Sequence, residues 1–113
     1  MKDRISGKTL RWTFEDGPMA GKTFEHTFGS DGTVRFRAVT HEVRSEQAES
    51  STAKKYESAR LRDDIYVVSY LGTSGYTLTA VLDFEKGTVV AVASNEKQLV
   101  LQHGSFERVK RAA

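Results

Sequence analysis

The sequence contains no cysteine, which excludes disulfide bonds and thiolate metal ligands within the chain. Its apolar runs are far shorter than the ~20 residues that a membrane-spanning helix needs. The segment 1–7 is charged and lacks the apolar region of a signal peptide. From these absences we expect a cytoplasmic protein with no membrane partner.

An excess of charge of one sign is also lacking. The chain has 17 lysines and arginines against 15 aspartates and glutamates, a formal net charge of +2, and the two signs are mostly interleaved. A nucleic-acid-binding surface usually needs basic residues clustered on one face, and only the short tail at 108–111 is clustered in sequence. The composition therefore predicts that nucleic acid is not a partner.

The motifs of several cofactor and metal sites are missing. The three histidines have no close spacing that would suit zinc, and no glycine loop of the Walker or dinucleotide type is present. Asp83 and Glu85 lie near a predicted hairpin, but the sequence offers no further carboxylate pairing of the kind that would indicate a glycosidase. The sequence thus predicts neither a cofactor nor a metal.

What the sequence does contain is a repeat of apolar residues at every second position, the pattern of half-buried β-strands. In the first segment, Leu10, Trp12 and Phe14 alternate with polar residues. Between the segments lie Gly, Asp, Asn and Ser, which favour turns. The predicted strands cover about 8–15, 22–28, 33–40, 54–61, 65–71, 76–84, 88–94 and 98–107.

Eight strands joined by mostly short links predict an all-β fold, an eight-stranded antiparallel up-and-down barrel formed by one domain over residues 1–113. Closure removes exposed sheet edges, and a barrel of this size is filled by side chains or holds one small ligand. A two-sheet sandwich is the main alternative. The polar segment 41–53 is predicted to be a longer loop or a short helix over one end, as lids and binding segments often are.

An aromatic face marks the candidate binding site. If the first three strands keep a regular phase, Trp12, Phe14, Phe24, Phe28 and Phe36 all point to one side. Such a set favours a flat apolar or aromatic ligand. The alternative is that these rings simply fill the core.

Two histidines share predicted faces with apolar residues. His26 lies between two phenylalanines in the alternation, and His103 follows Leu99 and Leu101. If both imidazoles point inward, they form a titratable centre near neutral pH. Each is otherwise an ordinary core histidine with a hydrogen-bond partner.

The orientation of the two middle strands stays open at this point. If Tyr56 and Arg60 face inward, the guanidinium could bind a carboxylate through two hydrogen bonds. If Leu61 faces inward instead, Arg60 is solvated. Tyr70 is a further candidate for ligand binding, although its strand, 65–71, could present either face to the interior.

The sequence resembles two families. Residues 7–17, with an aromatic pair and a closing glycine, and residues 64–70, with Tyr66 and Tyr70, resemble the bacterial phenolic acid decarboxylases. Residues 76–94 are similar to the domains of the molybdenum-cofactor biosynthesis protein F (MoaF) family. Both families have calycin-like (lipocalin-like) barrels, so the resemblance implies that fold for this chain.

The departures from the decarboxylase pattern bear on activity. In that family the two aromatics of the first strand are tyrosines that hold the substrate carboxylate, whereas here they are Trp12 and Phe14. The catalytic glutamate of the family corresponds to Gly72. Phenylalanine and glycine have no side-chain donor or acid, so we expect no phenolic acid decarboxylation.

The favoured function is therefore a MoaF-like barrel that binds a small apolar or aromatic molecule, rather than an enzyme. Its candidate ligand-binding residues are Trp12, Phe14, Phe24, His26, Phe36, Arg60, Tyr70 and His103. One alternative is a lyase or isomerase that uses a histidine as its acid–base group. A second alternative is a protein-interaction module that forms a homodimer.

Overall fold

The structure is a computed structural model that describes residues 4–39, 53–72 and 75–109. Each predicted strand is present, with ends within one residue of the predicted ones. The strands are β1 (Thr9–Phe14), β2 (Thr23–Phe28), β3 (Thr33–Val39), β4 (Lys54–Arg62), β5 (Ile65–Leu71), β6 (Thr77–Asp83), β7 (Thr88–Ser94) and β8 (Leu99–Arg108). In these three ranges, no helix is long and apolar enough to cross a membrane.

The strands form a closed antiparallel barrel in which each is bonded to its neighbours in sequence and β8 returns to β1. This confirms the predicted barrel and excludes the two-sheet sandwich. The closing seam pairs Trp12 with Phe106 and Phe14 with Gly104. A Cβ atom on Gly104 would lie 2.2 Å from the backbone oxygen of Thr13, so only glycine lets β1 and β8 approach this closely.

The barrel is least complete between β3 and β4. Among the described residues, two pairs join these strands, Thr33 with Lys55 and Val34 with Lys54. Because β3 and β4 are strongly staggered, most of each strand lacks the other as a neighbour. The predicted loop or helix at 41–53 connects the two strands, but all of it except residue 53 lies outside the described residues.

One end of the barrel is covered by the segment before β1. Ile5 is fully buried there, and the Gly7 amide donates a 2.8 Å hydrogen bond to the Phe28 carbonyl. Arg4 forms a 3.0 Å ion pair with Asp64 in the turn between β4 and β5. The segment thus blocks the interior at this end, where the β2–β3, β4–β5 and β6–β7 turns also lie.

The faces of β4 and β5, which the sequence left open, are decided by burial. Tyr66, Val68 and Tyr70 point inward and are 5%, 0% and 5% exposed. Tyr56 is paired with Tyr70, so the face that carries Tyr56 is the inner face of β4.

The apolar face predicted for β8, which carries Leu99, Leu101 and His103, is not its inner face. Leu99 and Leu101 are 77% and 55% exposed, and His103 shares their outer face. The inner face carries Gln102 and Gly104, which are buried. Pairing decides this, because Gly104 lies opposite the inward-facing Phe14 of β1, and cross-strand partners share a face.

Candidate functional site: a cavity lined by aromatic rings

A cavity of about 320 Å³ lies inside the barrel, within the usual size range of small-molecule sites. Its rim includes Pro18 and Met19 before β2, Tyr76 before β6 and Gln98 before β8. These residues belong to the connections at the end of the barrel opposite Ile5. The cavity is therefore open at one end and blocked at the other.

A stacked pair of rings forms the floor of this cavity. Trp12 on β1 and His26 on β2 lie with ring centroids 3.9 Å apart and planes inclined by 17°. Both residues are 3% exposed. Their backbones are not directly opposite, since Trp12 pairs with Phe24 and Leu10 pairs with His26, so the stack is a diagonal contact on the inner face of two strands.

His26 also contacts the opposite side of the barrel. Its Nε2 atom lies 2.6 Å from the Tyr70 hydroxyl on β5. Burial lowers the pKa of His26 to about 3 by disfavouring the charged imidazolium, and the backbone of Phe24 opposes this shift without cancelling it. Burial raises the pKa of the Tyr70 phenol as well. Both groups are thus neutral at physiological pH.

Two buried polar atoms of the stacked rings lack hydrogen-bond partners among the described residues. They are the indole Nε1 of Trp12 and the imidazole Nδ1 of His26. Leaving a buried polar group unpaired costs ~1–3 kcal/mol, so native proteins usually satisfy such atoms with protein, water or a ligand. Both residues line the cavity, but these two atoms are buried and expose almost no surface to it.

Further aromatic rings complete one wall. Phe36 lies 5.6 Å from His26 and 5.7 Å from Tyr70, measured between ring centroids. Phe14 and Phe24 are 6.1 Å apart and tilted by 59°. The wall therefore presents several ring faces to anything bound inside.

Six of the eight residues predicted for ligand binding lie together around this cavity. They are Trp12, Phe14, Phe24, His26, Phe36 and Tyr70. Five of them lie on the first three strands, whose phase was predicted correctly from their distinctive aromatic content, whereas the inward direction of Tyr70 on β5 was decided by the structure.

The other two predicted residues lie elsewhere. Arg60 is paired across β4 and β5 with Tyr66, at the blocked end of the barrel, where its guanidinium contacts Asp63. His103 is on the outer face of β8 and lies 3.0 Å from a carboxylate oxygen of Asp16. A site with two inward histidines is therefore not formed.

The opposite wall consists of residues that sequence reasoning did not select. It is formed by aliphatic side chains and one amide: Leu78, Ala80, Ala91, Ala93, Val100 and Gln102. The alternation did place Leu78, Ala80, Ala91 and Ala93 on inner faces, but small aliphatic residues carry no chemical signal for binding. Their small size leaves the space that the cavity occupies.

The described part of the cavity wall is uncharged. No aspartate, glutamate, lysine or arginine is among its lining residues. In the described residues as a whole, no group of three or more histidines or carboxylates is arranged to hold a metal. The chemistry that this wall offers is stacking, apolar contact and a few neutral hydrogen bonds.

Comparison with known sequences bears on the family. The sequence model of the MoaF N-terminal domain matches residues 1–98. The chain belongs to the MoaF N-terminal domain family. This confirms the resemblance of residues 76–94 to MoaF domains. No curated protein matches this MoaF domain significantly.

A solved structure shares the fold of this MoaF domain. It is a Burkholderia vietnamiensis protein whose crystal structure is described as that of a "putative beta-lactamase", not of a phenolic acid decarboxylase. The TM-score is 0.74 at 17% sequence identity, and the match covers 96% of this chain and 99% of that chain. At this identity the likeness establishes the barrel alone.

Proposed function

We propose that this MoaF domain binds a small, flat and largely apolar molecule inside the barrel. The observation that carries the proposal is the open cavity of about 320 Å³, whose wall presents the rings of Trp12, Phe36 and Tyr70. A core that served only for packing would be filled by side chains. A bound molecule would supply the ring contacts that this wall lacks.

The single tryptophan makes this proposal directly testable. Trp12 is buried in the cavity floor, so its emission should be blue-shifted and should be quenched when a planar ligand stacks nearby. Titration with N-phenyl-1-naphthylamine, a neutral aromatic probe, should give saturable quenching together with enhanced probe fluorescence. Unsaturable, linear quenching would contradict binding at a defined site.

A matched pair of variants locates the probe. Ala93 lines the cavity, whereas the neighbouring Val92 is on the outer face, opposite Leu101 of β8. Ala93→Phe should fill part of the cavity and weaken probe binding at least tenfold, and Val92→Phe should leave binding unchanged. Circular dichroism and melting curves confirm that both variants are folded, since added bulk in a packed site costs ~1–3 kcal/mol.

The enzymatic alternative receives less support from the geometry. It needs a histidine that exchanges protons near neutral pH, but burial holds the pKa of His26 at about 3. The second histidine considered for this role, His103, lies outside the cavity. A neutral His26 is instead suited to stacking and hydrogen bonding.

A second candidate function, dimerisation, is favoured by a contrast on the outside of the barrel. Three of the outward rows of β5–β8 contain no aspartate, glutamate, lysine or arginine, and these three rows are called the uncharged face below. Its rows are Val67–Val81–Val90–His103, Ser69–Thr79–Val92–Leu101 and Leu71–Thr77–Ser94–Leu99. In contrast, the outward rows of β1–β4 include Arg11, Glu25, Arg35, Arg37 and Lys55.

This contrast favours a second copy of the chain as the partner for the uncharged face. A two-fold dimer places the same surface of each copy against the other, so two uncharged faces would meet without like charges and would bury Leu71, Leu99 and Leu101, which are 65%, 77% and 55% exposed. Packing the uncharged face on the outer side of β1–β4 would instead desolvate charged groups.

The oligomeric state tests this candidate. Sedimentation equilibrium should show a dimer for the native chain and a monomer for Leu99→Lys/Leu101→Lys. Thr27→Lys, a change on the outer side of β2, serves as the matched control and should stay dimeric. A native chain that is monomeric at high micromolar concentration would rule out the dimer.

A further inference from the structure

We infer that Gln102 orients the ligand in the cavity, by donating a hydrogen bond from its side-chain NH2 group to an acceptor atom of the ligand. This inference rests on the proposed function and adds to it the polar group that the ligand must carry. It follows from the position of Gln102 on β8, from the contact that fixes its carboxamide and from the space beside it.

Gln102 is the polar member of an inner row that is otherwise formed, on β6 and β7, by alanines. It lies opposite Ala91, which in turn lies opposite Ala80, and all three residues line the cavity. Gln102 is 5% exposed. A buried carboxamide has lost most of its hydration, so both of its ends need partners. The small alanine side chains leave open space beside it.

The oxygen of this carboxamide is already occupied. The Oε1 atom of Gln102 accepts a 2.8 Å hydrogen bond from the backbone amide of Met19, in the connection between β1 and β2. This bond determines which end of the carboxamide is which, because a backbone N–H donates and an NH2 group cannot accept. The remaining end, which faces away from Met19, is therefore a donor.

The NH2 group of Gln102 is not sealed in the way that the ring nitrogens of Trp12 and His26 are. Among the described residues, no hydrogen bond joins its Nε2 atom to the protein, yet Nε2 is not one of the buried side-chain atoms that lack both a partner and accessible surface. It therefore keeps accessible surface. Because Gln102 is an inward residue that lines the cavity, this surface opens into the cavity, where a ligand can contact it.

A glycine in the connection between β1 and β2 restricts the Gln102 side chain further. Gly17 has a φ of +77°, and a Cβ atom there would lie 2.6 Å from Cγ and 2.9 Å from Oε1 of Gln102. The backbone at residue 17 therefore lies directly against this side chain, and a larger residue would displace it. Together with the bond to Met19, this contact holds the carboxamide in one orientation.

A donor that is fixed before binding selects among ligands of similar shape. An acceptor such as a carbonyl oxygen or a ring nitrogen replaces the water that the NH2 group loses when the cavity is filled. A hydrocarbon of the same shape would leave the NH2 group buried and unpaired. The ligand is therefore expected to have a flat apolar body, which contacts the aromatic wall, and one acceptor directed at β8.

Two ligands of the same shape test the role of Gln102. They are 2-acetylnaphthalene and 2-isopropenylnaphthalene, in which a CH2 group replaces the carbonyl oxygen, and displacement of N-phenyl-1-naphthylamine gives the affinity of each. The native chain should bind 2-acetylnaphthalene about threefold to tenfold more tightly, the gain expected from one net hydrogen bond. Gln102→Met, which has a side chain of similar length but no donor, should abolish this preference.

A pair of glycine variants tests the same role without altering Gln102. Gly17 and Gly21 lie in one connection with φ values of +77° and +80°, so alanine strains the backbone similarly at both. A Cβ atom at Gly21 would meet nothing within 4 Å. Gly17→Ala should therefore reduce the preference for 2-acetylnaphthalene, whereas Gly21→Ala should retain it. This pair provides the test if Gln102→Met does not fold.

The outcomes separate this inference from the function beneath it. Equal affinity of the native chain for the two ligands would overturn the role of Gln102 and leave the proposed function standing. A native preference that survives in Gln102→Met, or that is the same in Gly17→Ala and Gly21→Ala, would have the same meaning. If neither ligand binds, and N-phenyl-1-naphthylamine does not bind either, the proposed function itself fails.

Discussion

The imidazole of His26 and the phenol of Tyr70 join β2 to β5 across the barrel interior, with Nε2 and the hydroxyl oxygen 2.6 Å apart. The two strands are not neighbours in the sheet, so no backbone pairing holds these residues together. The bond fixes the orientation of the imidazole, and the orientation of the imidazole decides which of its atoms faces the cavity.

A double-mutant cycle should detect this bond. At neutral pH, Tyr70→Phe and His26→Leu should each lower the free energy of unfolding by ~1–3 kcal/mol, because each leaves the other polar group buried without its partner. His26→Leu/Tyr70→Phe should cost clearly less than the sum of the two, since no polar group is then left unpaired. Urea denaturation gives the three values.

A control for the cycle combines His26→Leu with Ser69→Ala. Ser69 is on the outer face of β5 and bonds to Thr79 at 2.9 Å, so its effect should add to that of His26→Leu. If the effects of His26→Leu and Tyr70→Phe on the free energy of unfolding were also strictly additive, the bond would contribute nothing to stability.

The buried histidine should also make stability depend on pH. The pKa of His26 is about 3 in the folded chain, against 6.5 when unfolded, so between these values the unfolded chain binds the extra proton and stability falls as pH is lowered. The loss between pH 7 and pH 5 should be about 2 kcal/mol, with little change above pH 7.

Urea denaturation at several pH values checks this dependence. His26→Gln should remove most of the slope between pH 7 and pH 5, whereas His103→Gln, a change at an exposed histidine, should retain it. A variant without His26 that shows the full native slope would refute the attribution to this residue.

The closing seam of the barrel should not tolerate a side chain at position 104. Gly104→Ala places a Cβ atom against the backbone of Thr13 and Phe14, which can move only by separating β1 from β8. We expect a loss of at least ~2–3 kcal/mol in unfolding free energy. At Gly72 a Cβ would meet the side chain of Leu78 at 3.0 Å, and since that side chain can shift, Gly72→Ala should cost less.

A buried carboxylate stabilises the outer side of β1–β3. Glu25 is 1% exposed and lies between its cross-strand partners Arg11 and Arg37, each of which it contacts at 3.0 Å. Glu25→Gln should therefore lower the free energy of unfolding by ~1–3 kcal/mol, a value below that of a fully buried pair because both arginines are partly exposed.

The matched change is at Glu107, which also faces Arg11 but at 3.7 Å and with 70% of its side chain exposed. Glu107→Gln should cost less than ~0.5 kcal/mol. Equal effects of the two substitutions in thermal melts would show that burial of Glu25 has no energetic role.

The sequence by itself determined the strands and the phase of the first three. Alternation with a period of two, interrupted by turn-forming residues, placed all eight strands to within one residue, because side chains on a strand point to opposite faces in turn. On β1 and β2 the contrast between aromatic residues and threonine or charged residues was strong. That contrast was enough to predict that Trp12 and His26 face the interior.

Only the tertiary structure decided the phase of β8 and the fate of Arg60. Leu99, Val100 and Leu101 are all apolar, so local hydrophobicity does not distinguish the faces of β8, and the seam with β1 sets them instead. Arg60 has the register of an inward residue, but it lies near the blocked end of the barrel, where it contacts Asp63. The bond between His26 and Tyr70, 44 residues apart, likewise depends on closure, since closing the barrel is what brings β2 and β5 face to face.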